Sequence, residues 1–425
     1  MTPQNLGKRR FLQAAVATAA AAALSACGKS SETQAAKPSE NGQNGENSLL
    51  HSQTSYDCYG THQAGIVTPH QPFGIMCAFD LTVSDLKRLT DFFRTVTARI
   101  EFLTRGGDLG DADYKLPPPG SGILGKTVPP DGLTVTVSVG ASLFDERFGL
   151  AAKKPKHLQE MRRFPNDKLA AEWCDGDVSV QICAFSPETC QNALRDLIKH
   201  TAPFAVARWS IDGWLPKPEK GAIAARNLFG YRDGTGNPDV SQPEIADQVL
   251  WTGVAANSLD EPAWAKNGSY QAVRLIRQFV EFWDRTPLQE QDAIFGREKY
   301  SGAPLGQKNE GDKPDYAADP EGKNVPKDSH MRLGNPRDAE FMKKHQLFRR
   351  PFNYSLGLAK NGQLNTGLIL VMYQANLADG FIFVQNLLNG EPLEEYIKPF
   401  GGGYFFTLPG VEKGGFLGQQ LLLDA

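Results

Sequence analysis

Asp233 lies in the stretch Asn227-Leu228-Phe229-Gly230-Tyr231-Arg232-Asp233-Gly234-Thr235-Gly236-Asn237-Pro238, where three glycines and a proline fall within nine residues. That density excludes a helix interior or a central strand and describes a tight loop. Glycines on both sides of an acid would let a flat ligand approach the backbone, with the carboxylate beside it. Such a carboxylate can move a proton if burial and geometry suit it. It can equally be the cap of its own Asp-Gly turn. Arg232 places a guanidinium in the same loop. A second group of candidates begins about a hundred residues on, in Asp328-Ser329-His330-Met331-Arg332-Leu333-Gly334-Asn335-Pro336-Arg337, followed by Leu347-Phe348-Arg349-Arg350-Pro351. His330 could ligate a metal there, although a histidine standing alone is more often a satisfied surface residue. Of the others, His51 lies in a polar stretch, and His62 and His70 lie near the N-terminal edge. His157 is in a Lys-rich run, His200 ends a helix, and His345 sits in a Lys-Lys-His-Gln loop.

The elements that must hold these residues read as two similar halves. Phe73 to Leu81 alternates as a strand, and Ser84 is placed to cap a helix whose apolar residues Leu86, Leu89, Phe92, Val96 and Ile100 recur at three- and four-residue steps. Leu133 to Val139 is a β-branched strand. Val178 to Ala184 is another, followed by a helix starting at Ser186-Pro187-Glu188 and a strand from Phe204 to Trp209. In the second half, Tyr270 to Phe279 reads as a strand leading into an amphipathic run that ends near Arg285. Asn361-Gly362 turns a hairpin between Tyr354–Leu358 and Leu368–Tyr373. A helical stretch from about Gly380 to Leu388 precedes a strand from Tyr404 to Leu408. Two β-α-β-type halves with antiparallel strands predict an α+β protein.

Gly120-Ser121-Gly122-Ile123-Leu124-Gly125-Lys126-Thr127 matches the phosphate-loop pattern letter for letter. The pattern needs a buried strand leading in and a helix beginning at the lysine. Prolines 117 to 119 and 129 to 130 exclude both, so no phosphate site is expected.

With 425 residues and a net charge of −3, the chain has room for a large core and no cationic excess that would suggest nucleic acid. Its first residues read as an export signal. Lys8-Arg9-Arg10-Phe11-Leu12 precedes an apolar run from Ala14 to Leu24 that is too short for a comfortable membrane span. The basic group resembles a twin-arginine signal, with Lys8-Arg9 in the twin position as a variant. Leu24-Ser25-Ala26-Cys27 resembles a lipoprotein cleavage box, and ordinary cleavage near Ala26 is the alternative. Residues 28 to 56 are polar and small, which predicts a flexible tether. The expected location is therefore the periplasm or cell envelope, with lipid on Cys27 as the only membrane attachment. Five further cysteines, Cys58, Cys77, Cys174, Cys183 and Cys190, show no CxxC pair. An odd set without that spacing argues against a zinc site or a disulfide framework, and an oxidising compartment would permit one disulfide with no assignable pairing.

Taken together, Gly230-Tyr231-Arg232-Asp233-Gly234 resembles the GxxDG motif of dye-decolourising (DyP-type) haem peroxidases. His330, with Asn335-Pro336-Arg337 after it and an Arg-Arg pair nineteen residues on, resembles the haem-ligand segment of that family. Tyr59-Gly60-Thr61-His62-Gln63-Ala64-Gly65-Ile66 and Gly401 to Gly410 extend the resemblance over nearly the whole mature chain, most closely to the exported, iron-releasing deferrochelatase/peroxidase subgroup. It implies two ferredoxin-like domains of the dimeric α+β barrel type, at 57 to 220 and 221 to 425, with haem between their antiparallel sheets. It also implies one haem b per chain, His330 as proximal iron ligand, and Asp233 and Arg349 as the distal catalytic pair. Arg350 replaces Arg349 if the register slips by one. Gly234, Thr235 and Gly236 would pack on the haem edge, with Asn335, Pro336 and Arg337 beside the porphyrin and Arg337 suited to a propionate. The implied partners are hydrogen peroxide and an organic donor or porphyrin, other iron-uptake components and, optionally, a second copy of the chain. Electrons from bulky donors could pass through exposed Tyr or Trp residues. The competing reading, a haem-delivery lipoprotein without turnover, would need His330 and a pocket but neither Asp233 nor Arg349.

Overall fold

A computed structural model describes residues 51–423. The export signal and most of the expected tether lie outside the described residues. Residues 51 to 56, expected to belong to the tether, are instead pinned: Asp131 and Gly132 donate backbone N–H bonds to the carbonyls of Ser52 and Thr54, and Ser52 N–H returns one to the Asp131 carboxylate.

The first half runs β1 (Phe73–Leu81), α1 (Leu86–Arg105), β2 (Thr134–Gly140), β3 (Val178–Ala184), α2 (Pro187–Thr201) and β4 (Ala205–Trp214). The second runs β5 (Ser269–Gln278), α3 (Leu288–Phe295), α4 (His330–Gly334), α5 (Ala339–Lys344), β6 (Phe352–Leu358), β7 (Leu364–Gln374), α6 (Phe383–Leu388) and β8 (Ile397–Thr407). In each half the first strand lies between the third and fourth, and the second pairs with the third, giving β2-β3-β1-β4 and β6-β7-β5-β8. This is the ferredoxin-like arrangement, and it recurs twice, as expected. All the pairings are antiparallel; β2 joins β8, and one residue pair, Trp214 with Asn353, joins β4 to β6. The eight strands thereby close on themselves.

Local physics explains the elements. The α1 helix buries Leu89, Phe92, Phe93, Val96, Ile100 and Leu103, the face its three- and four-residue spacing specifies. Each such side chain, fully removed from water, contributes roughly 1.5–3 kcal/mol. Its cap is Asp85, whose carboxylate accepts from Arg88 N–H, and not Ser84. The β4 strand runs on to Trp214 instead of stopping at Trp209, because it pairs with β1 through Phe73. The phosphate-loop look-alike forms turns with no helix after it, and the five cysteines are all free thiols.

The space between the two sheets is filled. Met76, Ala78, Cys183, Ile211, Val273, Leu275, Phe352, Ile369, Val371, Tyr373 and Phe405 pack there as one buried cluster. No room for a tetrapyrrole is left between the sheets, where the family resemblance had put it. Successive strand residues face opposite sides, so Ile276, Gln278, Leu368, Leu370 and Met372 emerge on the other face of the second sheet. There they form the floor of a large cavity roofed by α4 to α6 and the glycine-rich loop. Among the described residues no helix is long and apolar enough to cross a membrane.

Candidate active site

The glycine-rich loop is built by its own polar groups. Asn227 accepts N–H bonds from Phe229 and Tyr231 through its side-chain oxygen, and Asp233 N–H reaches the Ala225 carbonyl. Gly230 and Gly234 have φ of 86° and 117°, which an L side chain would strain. Gly234 is therefore required by the turn and does not line the cavity, whereas Thr235 and Gly236 do. Tyr231 anchors the loop below, its ring stacked on Phe295 at 4.1 Å and its hydroxyl donating to Asp292 at 2.5 Å. Arg232 is a staple and not a reactive group. It donates to the Ala224 carbonyl and to Glu219. Glu310 ties the same loop from the other side, accepting from Ile223 N–H, Ala224 N–H and Thr235 Oγ1.

This scaffold presents Asp233 to the cavity, 3.3 Å from Arg349 Nη1. The contact is an ion pair by distance but lacks hydrogen-bond geometry, since Asp233 Oδ1 is buried with no hydrogen-bond partner. Asn237 fixes Arg349 through three contacts: its side-chain N–H donates to the Arg349 carbonyl at 2.8 Å, and its side-chain oxygen faces Arg349 N–H and Nε at 3.2 and 3.4 Å. Arg350, the alternative in the sequence, turns the opposite way. It is buried and donates to the Thr68 carbonyl and Gln71.

His330 opens α4 and lines the same cavity. Its Nδ1 lies 2.8 and 3.0 Å from the two oxygens of Glu391, a buried carboxylate. The carboxylate can only accept, so Nδ1 carries a proton, and in the neutral imidazole Nε2 then keeps its lone pair for a ligand. This is the arrangement usual for a metal-binding imidazole. The imidazole keeps 31% exposure, but as cavity surface, so burial still acts on its ionisation. Burial pushes its pKa down, and Glu391 more than offsets this, leaving it above the ordinary histidine value. Glu391→Gln is expected to weaken retention of a ligated iron by about 10–100-fold, the usual cost of losing such a partner. The haem dissociation rate measures this, and an unchanged rate would remove Glu391 from the site.

The cavity encloses about 1400 Å³ of atom-free space, part of it opening to solvent. Its apolar walls include Leu368, Leu370, Met372, Phe381, Val384 and Leu388, which suit a large flat ring. Arg297, Arg337 and Arg349 also line the cavity, and Arg297 senses the charges of the other two. Burial, then the nearby Arg337, pushes the pKa of Arg297 down. Arg337 Nε and Asn335 Oδ1 are buried without partners, and Arg337 adopts a left-handed φ of 62°. The unmet buried donor Arg337 Nε, beside clustered guanidinium groups, fits a ligand carrying carboxylates, whereas Asn335 Oδ1 is an acceptor and would face a donor instead. A haem, apolar over its face and bearing two propionates, fits these residues. Pro336 does not line the cavity. Glu391, Arg297 and His345 were missed in the sequence, where no short-range motif marks them.

Two family models match the chain: "Dyp-type peroxidase, N-terminal" over residues 63–215 and "Dyp-type peroxidase, C-terminal" over residues 224–412. The chain is 53% identical over 369 residues to a deferrochelatase of Escherichia coli O157:H7, covering 86% of each. It is 52% identical over 370 residues to a deferrochelatase of Yersinia pestis, covering 86% of this chain and 84% of the relative. Among solved structures it is similar to a DyP-type peroxidase from Cellulomonas bogoriensis, with a TM-score of 0.77 and 33% identity over 87% of this chain and 98% of that one.

Proposed function

Since this chain belongs to the DyP-type peroxidase family and is a haem-dependent peroxidase, we propose that it is an exported enzyme that reduces hydrogen peroxide, oxidises organic donors and releases iron from haem. The observation that carries the reading is one cavity holding both His330, braced by Glu391, and the Asp233–Arg349 pair. A bound haem b would supply the redox-active iron at which the O–O bond of peroxide breaks. His330 Nε2 would ligate that iron, and Arg297 and Arg337 would hold the propionates. Asp233 would take the proton from the near oxygen of peroxide and return it to the far one. Arg349 would stabilise the negative charge on the departing oxygen. Export and the lipid anchor rest on the N-terminal residues Lys8 to Cys27. Iron release rests on the deferrochelatase relatives at 52 and 53% identity.

Purified enzyme given excess haem should yield free protoporphyrin, read by its fluorescence, together with an equal amount of chelatable iron. Open-chain tetrapyrroles, or no product, would refute iron release and leave the peroxidase reading intact. In cells, Cys27→Ser should convert an envelope-anchored protein into a soluble exported one. Wild-type protein already soluble and cut at Ala26 would refute the anchor.

A further inference from the structure

We propose that His345 is the proton acceptor for phenolic donors, in a donor subsite at the α5–α6 end of the cavity. The proposal rests on the organic-donor oxidation proposed above. The sequence places His345 in a Lys-Lys-His-Gln loop, yet it is 8% exposed and lines the cavity with Phe341, Gln346, Leu347, Phe381 and Val384. Its Nδ1 lies 2.7 Å from the Asp379 carbonyl. A carbonyl cannot donate, so Nδ1 carries the hydrogen and Nε2 holds the lone pair. The ring is stacked on Phe383 at 3.7 Å between centroids, 11° from parallel, and its backbone N–H is bonded to Phe341. Asp379 is itself held, its N–H donating to Asn376.

The imidazole is thus fixed in plane and in tautomer. Among the described residues nothing hydrogen-bonds to Nε2, and that atom is not among the sealed polar atoms of the interior. It therefore retains surface, and the residue lines the cavity. A rigid acceptor among apolar and aromatic side chains is complementary to a ligand with one hydroxyl on an aromatic ring. A phenol there would donate its O–H to Nε2. On oxidation, one electron passes from the phenol to the peroxide-oxidised haem and the O–H proton passes to Nε2. The products are a phenoxyl radical, an imidazolium and a haem reduced by one electron; the imidazolium then releases its proton to water.

The test compares a phenol with ferrocyanide, a one-electron donor that has no proton to lose. After mixing holoenzyme with one equivalent of peroxide, the rate of reduction is followed for each donor. His345→Phe keeps a ring on Phe383, and His345→Gln keeps an acceptor that is a poor base. Both should lower the phenol rate, relative to the ferrocyanide rate, by about 100–10,000-fold, as expected for losing a positioned base. Resting wild-type holoenzyme should also bind the phenol more tightly than its methyl ether, which cannot donate, and His345→Phe should erase that preference. An unchanged phenol-to-ferrocyanide ratio in folded variants overturns the proposal. If the variants lose haem or fail to fold, equal binding of phenol and methyl ether by the wild type overturns it. Ferrocyanide oxidation without phenol oxidation by the wild type overturns it too, while turnover of neither donor refutes organic-donor oxidation itself.

Discussion

His330→Ala is expected to abolish haem retention while the protein still folds. The substitution would remove the proposed Nε2 ligand, and it leaves Glu391, a buried carboxylate that faces the imidazole at 2.8 Å, without its partner. A buried charge that loses its partner is costly, so the protein should be destabilised by about 3–5 kcal/mol as well. The other described histidines have other engagements. His62 is stacked on Trp251, His157 meets Asn376, and His200 contacts the Asp196 carbonyl. Only His345 shares the cavity, from a different helix end. Added imidazole should restore haem binding by taking the vacated place. Stoichiometric haem in His330→Ala, with an unchanged iron–nitrogen vibration, would exclude His330 as the ligand.

The second large effect separates Asp233 from Arg349. A general acid–base group contributes about 100–10,000-fold, and one preorganised charge-stabilising donor about 100–1,000-fold. Magnitude therefore does not distinguish them, but pH does, because a carboxylate titrates in the accessible range and an arginine does not. If Asp233 accepts the first proton, the rate of peroxide cleavage should show an acid limb that depends on this side chain. Asp233→Asn lowers the rate about 100–10,000-fold and removes that acid limb. Arg349→Leu lowers the rate about 100–1,000-fold and leaves the limb in place. Stopped-flow rates of peroxide consumption against pH in both variants decide it. An acid limb that survives in Asp233→Asn would make Arg349 the principal distal group.

Much of the framework is legible in the chain itself, for reasons that are local. Phe73–Leu81 and Val178–Ala184 are strands end to end as the alternation predicts, because each pairs along its length and needs no distant cue. The reactive loop is legible because its glycines announce a backbone that other residues cannot adopt. Register decides between Arg349 and Arg350: neighbours on an extended segment face opposite sides, so only one can reach the cavity. Pairing of Arg349 with Met372 on β7 fixes which.

What the chain conceals is tertiary. Glu391 lies 61 residues from His330 and meets it only because β8 brings the preceding loop back under α4. Arg297 carries no motif at all. His345 was masked by Lys343 and Lys344, which are exposed while the imidazole that follows them is buried. The place of the ligand was also hidden, since nothing in the sequence says which face of the second sheet is filled by side chains.

The most direct measurement is the absorption spectrum of the purified protein before and after one equivalent of hydrogen peroxide. A haem peroxidase built around His330, Asp233 and Arg349 holds one haem per chain, and its resting spectrum converts completely within milliseconds and returns when a donor is added. Stoichiometric haem whose spectrum does not respond to peroxide would contradict that account and make the protein a haem carrier.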